Sequence, residues 1–316
     1  MDARVTRRDA LRTAALGTVA LATATRLGAR TVDARPNIVF ILADDMGFAD
    51  VACYGRPDVR TPHIDQLARD GVRFTQAYAN SAVCTATRVA LITGRYQYRL
   101  PVGLEEPLRT VNDRIGLPPE HPTLPSLLRA TGYATTLVGK WHLGRLPRFG
   151  PLESGYDHFY GFRSGALDYY THLGTDGKDD LWDDNVPVHQ NGYLTDLLGA
   201  RATEVIDAGA TSGRPFFLSL HFNAPHWPWE APGDEAEAER LRGTGLTHYD
   251  GGTQQTYVRM IESMDAQVGR VVATLTARGV RDNTLIVFTS DNGGERFADT
   301  WPFSGRKTEL LEGGLR

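Results

Sequence analysis

Cys84 stands four residues before Arg88 in the stretch SAVCTATRVALITGRY, and it is one of two cysteines among 316 residues. A helix starting at Cys84 would put the thiol at the positive end of the helix dipole. Arg88 would lie on the same face one turn on, an arrangement that lowers a thiol pKa and prepares it for direct attack. Elsewhere four apolar runs give way to polar groups: Asp44-Asp45, Gly139-Lys140-Trp141-His142, Asn223-Ala224-Pro225-His226 and Asp291-Asn292-Gly293-Gly294. Asp44, Asp45, Asp291 and Asn292 offer three carboxylates and an amide oxygen. That donor set suits a hard divalent cation, Ca2+ in preference to Mg2+, because Ca2+ accepts irregular and partly bidentate oxygen coordination. Arg88, Lys140, His142, His226 and Lys307 add positive or hydrogen-bonding groups. A cation ringed by such groups makes a pocket for a tetrahedral oxyanion ester, so the chemistry is transfer of a sulfuryl or a phosphoryl group. Taken singly, the same residues have ordinary explanations as turn formers, solvated lysines and structural histidines. Cys53 and Cys84 could equally form one disulfide in an oxidising compartment.

These groups need a scaffold that brings them together. The runs Asn37–Ala43, 134–138, 215–222 and Thr284–Ser290 are apolar without alternation, which predicts strands buried on both faces. Between them the pattern predicts helices: one with Thr61 as N-cap, Pro62 at the first helical position and Gly71 as stop, then Leu124–Ala130 ending at Gly132, and 193–208 ending near Gly209. An amphipathic run over Gln254–Ala277 puts Tyr257, Ile261, Met264, Val268, Val271, Val272 and Leu275 on one face. Helices alternating with buried strands predict an α/β fold, a large, mostly parallel sheet flanked by helices on both faces. In such a sheet the carboxyl ends of the strands gather along one edge, where ligands bind.

Composition narrows the partners. The formal charge is −4, and residues 1–30 hold six arginines against Asp2 and Asp9, so the remainder is more acidic than the whole. With no basic stripe there, nucleic acid is excluded as a partner. The N-terminal Thr6-Arg7-Arg8-Asp9-Ala10-Leu11, followed by a run of Ala, Leu and Thr, resembles a twin-arginine export signal over residues 1–30. Its apolar stretch is too short for a stable membrane span, so the expectation is removal of the signal and a folded protein exported to the periplasm or beyond by the twin-arginine machinery.

Cys84-Thr85-Ala86-Thr87-Arg88 followed by Leu91-Ile92-Thr93-Gly94-Arg95 resembles the signature of the type I sulfatases of the alkaline phosphatase superfamily. PNIVFILADDMG (36–47), TPHIDQLARDGVRF (61–74), GKWHLG (139–144), APH (224–226), SDNGG (290–294) and KTELLEGGLR (307–316) are similar to further segments of that family, in family order. The family most often has proline and serine where this chain has Ala86 and Thr87.

The resemblance implies a catalytic domain over 35–316 with an alkaline phosphatase-like fold, hydrolysing aryl or carbohydrate sulfate esters. It implies conversion of Cys84 to Cα-formylglycine by a formylglycine-generating enzyme, and a Ca2+ ion on Asp44, Asp45, Cys84, Asp291 and Asn292. One hydroxyl of the aldehyde hydrate would attack sulfur. Arg88 would hold the hydrate, while Lys140 and Lys307 neutralise the sulfate oxygens. His226 with Lys307 would protonate the departing alcohol, and His142 would deprotonate the second hydroxyl to expel sulfate. Family members continue past the Glu312-Gly313-Gly314 segment into another strand and a smaller C-terminal domain, so the chain reads as truncated there. Two competing readings are a phosphodiester or phosphonate monoester hydrolase of the same superfamily and an inactive relative that binds sulfated glycans. The aromatic-rich stretches 163–192, with Asp168-Tyr169-Tyr170-Thr171-His172, and 227–245, with Trp227 and Trp229, read equally as pocket rims for a sulfated sugar or aryl group and as solvated surface loops.

Overall fold

A computed structural model describes residues 35–56, 58–108, 114–242 and 251–316; the twin-arginine-like segment lies outside the described residues. The elements run β1 (Asn37–Ala43), α1 (Pro62–Asp70), α2 (Cys84–Thr93), α3 (Leu124–Ala130), β2 (Ala134–Lys140), β3 (His158–Phe162), β4 (Trp182–Asp183) and β5 (Val186–Pro187). They continue with α4 (Leu194–Ser212), β6 (Phe216–His221), α5 (Glu235–Leu241), α6 (Gln254–Ala277), β7 (Thr284–Ser290) and α7 (Glu312–Leu315).

The sheet order is β5-β4-β3-β2-β6-β1-β7. From β3 to β7 every neighbour is parallel, and the short β4–β5 ribbon is antiparallel at one edge. The four strands expected from the sequence therefore lie side by side, and their polar carboxyl ends share one rim. Alternate residues of each strand serve opposite faces. Val39 and Ile41 of β1 join Leu218 and Leu220 of β6 in a core with Leu198 and Ile206 of α4 and Met264 and Val268 of α6. Leu137 and Phe217 join Val89 and Ile92 of α2 on the other face, with Ile38 and Phe40 packed against them. Each fully buried aliphatic side chain contributes roughly 1.5–3 kcal/mol, so both layers are held firmly to the sheet.

Helix α6 matches its expected bounds, capped by Thr253, whose side chain accepts from the Thr256 N–H. Three local expectations differ from the structure. Gly209 does not stop α4, which runs on to a left-handed Gly213. A Cβ at Gly209 would approach Phe216 Cδ1 to 2.4 Å, so this glycine serves a close helix–strand contact instead. Strand β7 is an edge strand and not buried on both faces: it pairs with β1 among the described strands, and Leu285 is 54% exposed. Lys140 belongs to β2 itself rather than to the turn after it. No helix among the described residues is long and apolar enough to cross a membrane.

Candidate active site

Every residue singled out by its chemistry arrives at the same rim. Asp44 and Asp45 follow β1, Lys140 ends β2, His226 follows β6 and Asp291 and Asn292 follow β7. Cys84 opens α2 with Val83 as its N-cap, and Arg88 follows one turn on. The Cys84 thiol sulfur and a carboxylate oxygen from each of Asp44 and Asp291 all lie within 4.8 Å of one another, and all three residues are buried.

Arg88 is held in place by the carboxylates. Its Nε and Nη2 donate to Asp291 Oδ2 at 3.1 and 2.9 Å, its Nη2 lies 3.6 Å from Asp44 Oδ2, and its Nη1 donates to the Lys140 carbonyl at 3.2 Å. Lys140, fully buried, pairs its Nζ with Asp44 Oδ2. Asp45 adopts a left-handed backbone at φ 65, so that its carboxylate turns into the cluster. There Oδ1 accepts from Asn292 Nδ2 at 2.7 Å, and Oδ2 sits 2.6 Å from Lys307 Nζ and 3.5 Å from His226 Nε2. Burial would raise the Asp45 carboxyl, but Lys307, His226 and Lys140 outweigh it and hold it well below the usual carboxylate range. Asp291 moves the other way, to about 6, because burial and the neighbouring Asp44 exceed the attraction of Arg88.

These oxygens fit a hard cation. Asp44 Oδ1 and Asn292 Oδ1 are buried without a hydrogen-bond partner, a costly state that a bound cation relieves. Oxygen donors dominate the set, with Cys84 as its one sulfur.

The thiol departs from expectation. Burial pushes the Cys84 pKa up; Lys140 and Lys307 pull it down, Asp44 and Asp291 push it further up, and the net shift is upward. An unmodified Cys84 is therefore a poor nucleophile despite its place at a helix N-terminus. Neither cysteine is in a disulfide, and burial with Asp65 pushes the half-buried Cys53 up to about 11.

The two histidines are neutral at rest. Burial, then Lys140, lowers His142, while burial, then Lys307, lowers His226. His142 Nε2 lies 3.0 Å from the Leu108 carbonyl, so it carries the proton and leaves Nδ1 as the unpaired acceptor. His226 Nδ1, 2.6 Å from the Trp227 carbonyl, is likewise the protonated nitrogen.

The family model described as Sulfatase matches residues 36–316. This chain belongs to the sulfatase family. Mouse (Mus musculus) arylsulfatase J is 35% identical over 292 residues, covering 89% of this chain and 47% of that protein. Pig (Sus scrofa) N-acetylgalactosamine-6-sulfatase is 31% identical over 321 residues, covering 92% of this chain and 57% of its own length. Among solved structures, Ps i-CgsB in complex with k-i-k-neocarrahexaose superposes with a TM-score of 0.78 at 34% identity, covering 89% of this chain and 64% of that one. The chain spans about half the length of the curated relatives it matches.

For a sulfatase-family chain, several contributing residues escaped the motif reading. Thr85 Oγ1 accepts from the Leu108 N–H at 3.0 Å and lies 3.3 Å from His142 Nε2, tying the signature helix to that imidazole. Thr87, where the family most often has serine, exchanges two hydrogen bonds with the Ser81 backbone and fixes the loop before Cys84. Gly139 has φ +110, and a Cβ there would fall 1.8 Å from the His221 carbonyl oxygen, which explains the glycine of GKWHLG.

The aromatic segment 166–172 is neither a solvated loop nor a free stacking surface, while 176–179 and 185–187 of the same stretch are exposed. Leu167, Tyr169 and Leu181 are buried, and Tyr169 Oη donates to the His226 carbonyl at 3.0 Å. Asn223 Nδ2 donates to the Leu167 carbonyl, and Tyr170 Oη donates to that of Ala231. The stretch buttresses the loop that carries His226. Trp229 is buried against Phe297, while Trp227 is half-buried beside the His226 ring.

Proposed function

We propose that residues 35–316 form the catalytic domain of a sulfuric ester hydrolase acting on carbohydrate or aryl sulfates, with Cys84 converted to Cα-formylglycine. Asp44, Asp45, Asp291, Asn292 and position 84 hold Ca2+, which supplies positive charge for the ester oxygens. The observation that carries this reading is the buried convergence of Arg88, Lys140 and Lys307 on the carboxylates around Cys84. The raised thiol pKa supports it further, because a plain cysteine there is not activated. As formylglycine hydrate, position 84 offers one hydroxyl for attack on sulfur and a second that lets sulfate leave.

The remaining roles belong to the chain's own side chains. Arg88, locked by two bonds to Asp291, orients position 84. Lys140 and Lys307 neutralise charge on the ester oxygens. The unpaired Nδ1 of His142 takes the proton from the second hydroxyl. Lys307, the charged member at rest, supplies the proton for the departing alcohol through the bare Nε2 of His226, both groups lying beside Asp45 Oδ2. A carbohydrate substrate is favoured over an aryl one because the related Ps i-CgsB is solved with neocarrahexaose. The twin-arginine-like segment supports export to the periplasm or the medium.

Mass spectrometry of the peptide ending at Arg88, from protein made with a formylglycine-generating enzyme, tests the proposal. An aldehyde at position 84, with faster release of sulfate than of phosphate from matched esters, is expected. Persistent cysteine in an active protein, or preference for the phosphate ester, overturns it.

A further inference from the structure

The β2–β6 ladder ends at the pair Gly139↔His221, and the next carbonyl of β2, that of Lys140, is claimed by side chains. Arg88 Nη1 donates to it at 3.2 Å, and His221 Nδ1 lies at the same distance of 3.2 Å. His221 is 8% exposed, and its Nδ1 is also 3.4 Å from Arg88 Nη1. A bare Nδ1 could accept from Arg88 Nη1 at 3.4 Å, but its lone pair would also face the Lys140 carbonyl oxygen at the shorter 3.2 Å, and a buried Nε2–H would have no acceptor. With the proton on Nδ1, the Lys140 oxygen accepts from two donors, one for each lone pair. Nε2 is then the bare nitrogen, and it is the atom without a protein partner.

That nitrogen belongs to a residue lining a cavity of about 20 Å3, which has room for one water. Ser219, two residues earlier on the same face of β6, also lines it, and Ser219 Oγ accepts from Tyr156 Oη at 2.9 Å. The Ser219 hydroxyl proton is thus free to serve a water that donates to His221 Nε2. Phe40 packs edge-on against the imidazole with centroids 6.5 Å apart, which fixes the ring plane.

We infer that His221, as its Nδ1–H tautomer, is a positioning residue: it clamps the Lys140 carbonyl and thereby sets Arg88 and the end of β2 in register around Cys84. The inference rests on the sulfatase reading for its functional consequence, while the tautomer stands independently. Arg88 and Lys140 reach the site from different elements, and the shared carbonyl is where their backbone and side chain meet. Without the imidazole donor, that carbonyl keeps one of its two partners, and the guanidinium loses its neighbour opposite Asp291.

Two measurements test this on the full chain. Long-range 1H–15N NMR of the histidines, with His221→Asn to assign the signal, is expected to show proton-bearing Nδ1 and bare Nε2; the opposite tautomer overturns the inference whether or not the protein hydrolyses sulfate esters. In formylglycine-bearing protein, His221→Leu is expected to lower kcat about 10-fold or more with KM nearly unchanged, as a displaced reacting group does. His221→Asn, whose amide N–H can replace the Nδ1 donor, is expected to restore most of that loss at equal thermal stability. Wild-type kcat in His221→Leu, or no recovery in a folded His221→Asn, overturns the positioning role.

Discussion

Lys307 Nζ lies 2.6 Å from Asp45 Oδ2, and with the Asn292–Asp45 hydrogen bond it joins the segment after β7 to the acidic pair after β1. The Lys307 side chain is 10% exposed and that of Asp45 is 1% exposed, so neither charge is well solvated and each depends on the other. Lys307→Met is expected to lower stability by about 3 kcal/mol in chelator, the usual cost of breaking a buried pair. Added Ca2+ should recover part of it, since the ion also neutralises Asp45. Thermal melts in EDTA and in Ca2+ check this, and equal losses in the two would argue against a shared role for ion and lysine.

Ca2+ binding itself is measurable without substrate. An ion that binds the native state alone raises stability by about 2.7 kcal/mol at 100 times its dissociation constant. The expected result is a rise in Tm on adding Ca2+, absent in Asp44→Asn and Asp291→Asn. A Tm indifferent to Ca2+ would remove the cation from the proposal.

Glu230 gives a stability signature at alkaline pH. Burial, with Asp168 beside it, raises this carboxyl to about 9, well above its ordinary value of 4.5. The folded protein therefore keeps a proton that the unfolded chain releases. The associated stability is complete below about pH 4.5 and is lost as pH rises toward 9, with a slope of at most about 1.4 kcal/mol per pH unit. Glu230→Gln keeps a neutral side chain that can accept from the Tyr169 N–H. Denaturant midpoints for the two proteins should converge near pH 5 and diverge in favour of the glutamine variant by pH 8. Parallel profiles would show that Glu230 is ionised in the native state.

Gly139→Ala should fail for a steric reason. The added Cβ meets the His221 carbonyl oxygen at 1.8 Å on a backbone of φ +110, so both contact and conformation oppose it. Loss of soluble protein, or a stability loss above about 3 kcal/mol, is expected from equilibrium unfolding; near-native stability would mean that β2 can shift.

Export can be tested apart from catalysis. Residues 1–30 fused to a folded reporter should direct it out of the cytoplasm of a host with twin-arginine machinery, and Arg7→Lys with Arg8→Lys should stop it. A reporter retained with both arginines intact would refute the signal.

Much of this site was legible in the sequence. Period and composition gave β1, β2 and β6 nearly to the residue, because a strand buried on both faces must be apolar throughout, and gave the bounds of β7 though not its place at the sheet edge. Each strand's polar terminus then announced a ligand edge, and the ordered motifs around Cys84, Arg88 and Lys140 pointed to the family. Other features depend on neighbours that no local pattern encodes. The edge position of β7, the close approach at Gly209 and the buttressing role of Tyr169 each follow from what packs alongside. The Cys84 thiol shows the difference most clearly. Its place at a helix start predicted a lowered pKa, yet burial beside Asp44 and Asp291 raises it, because desolvation and neighbouring charge are properties of the assembled cluster. His221 was visible as a lone imidazole in the apolar strand PFFLSLHF. Its tautomer and its hold on the Lys140 carbonyl exist only once β2, β6 and α2 meet, since a hydrogen bond between distant segments is fixed by the tertiary fold alone.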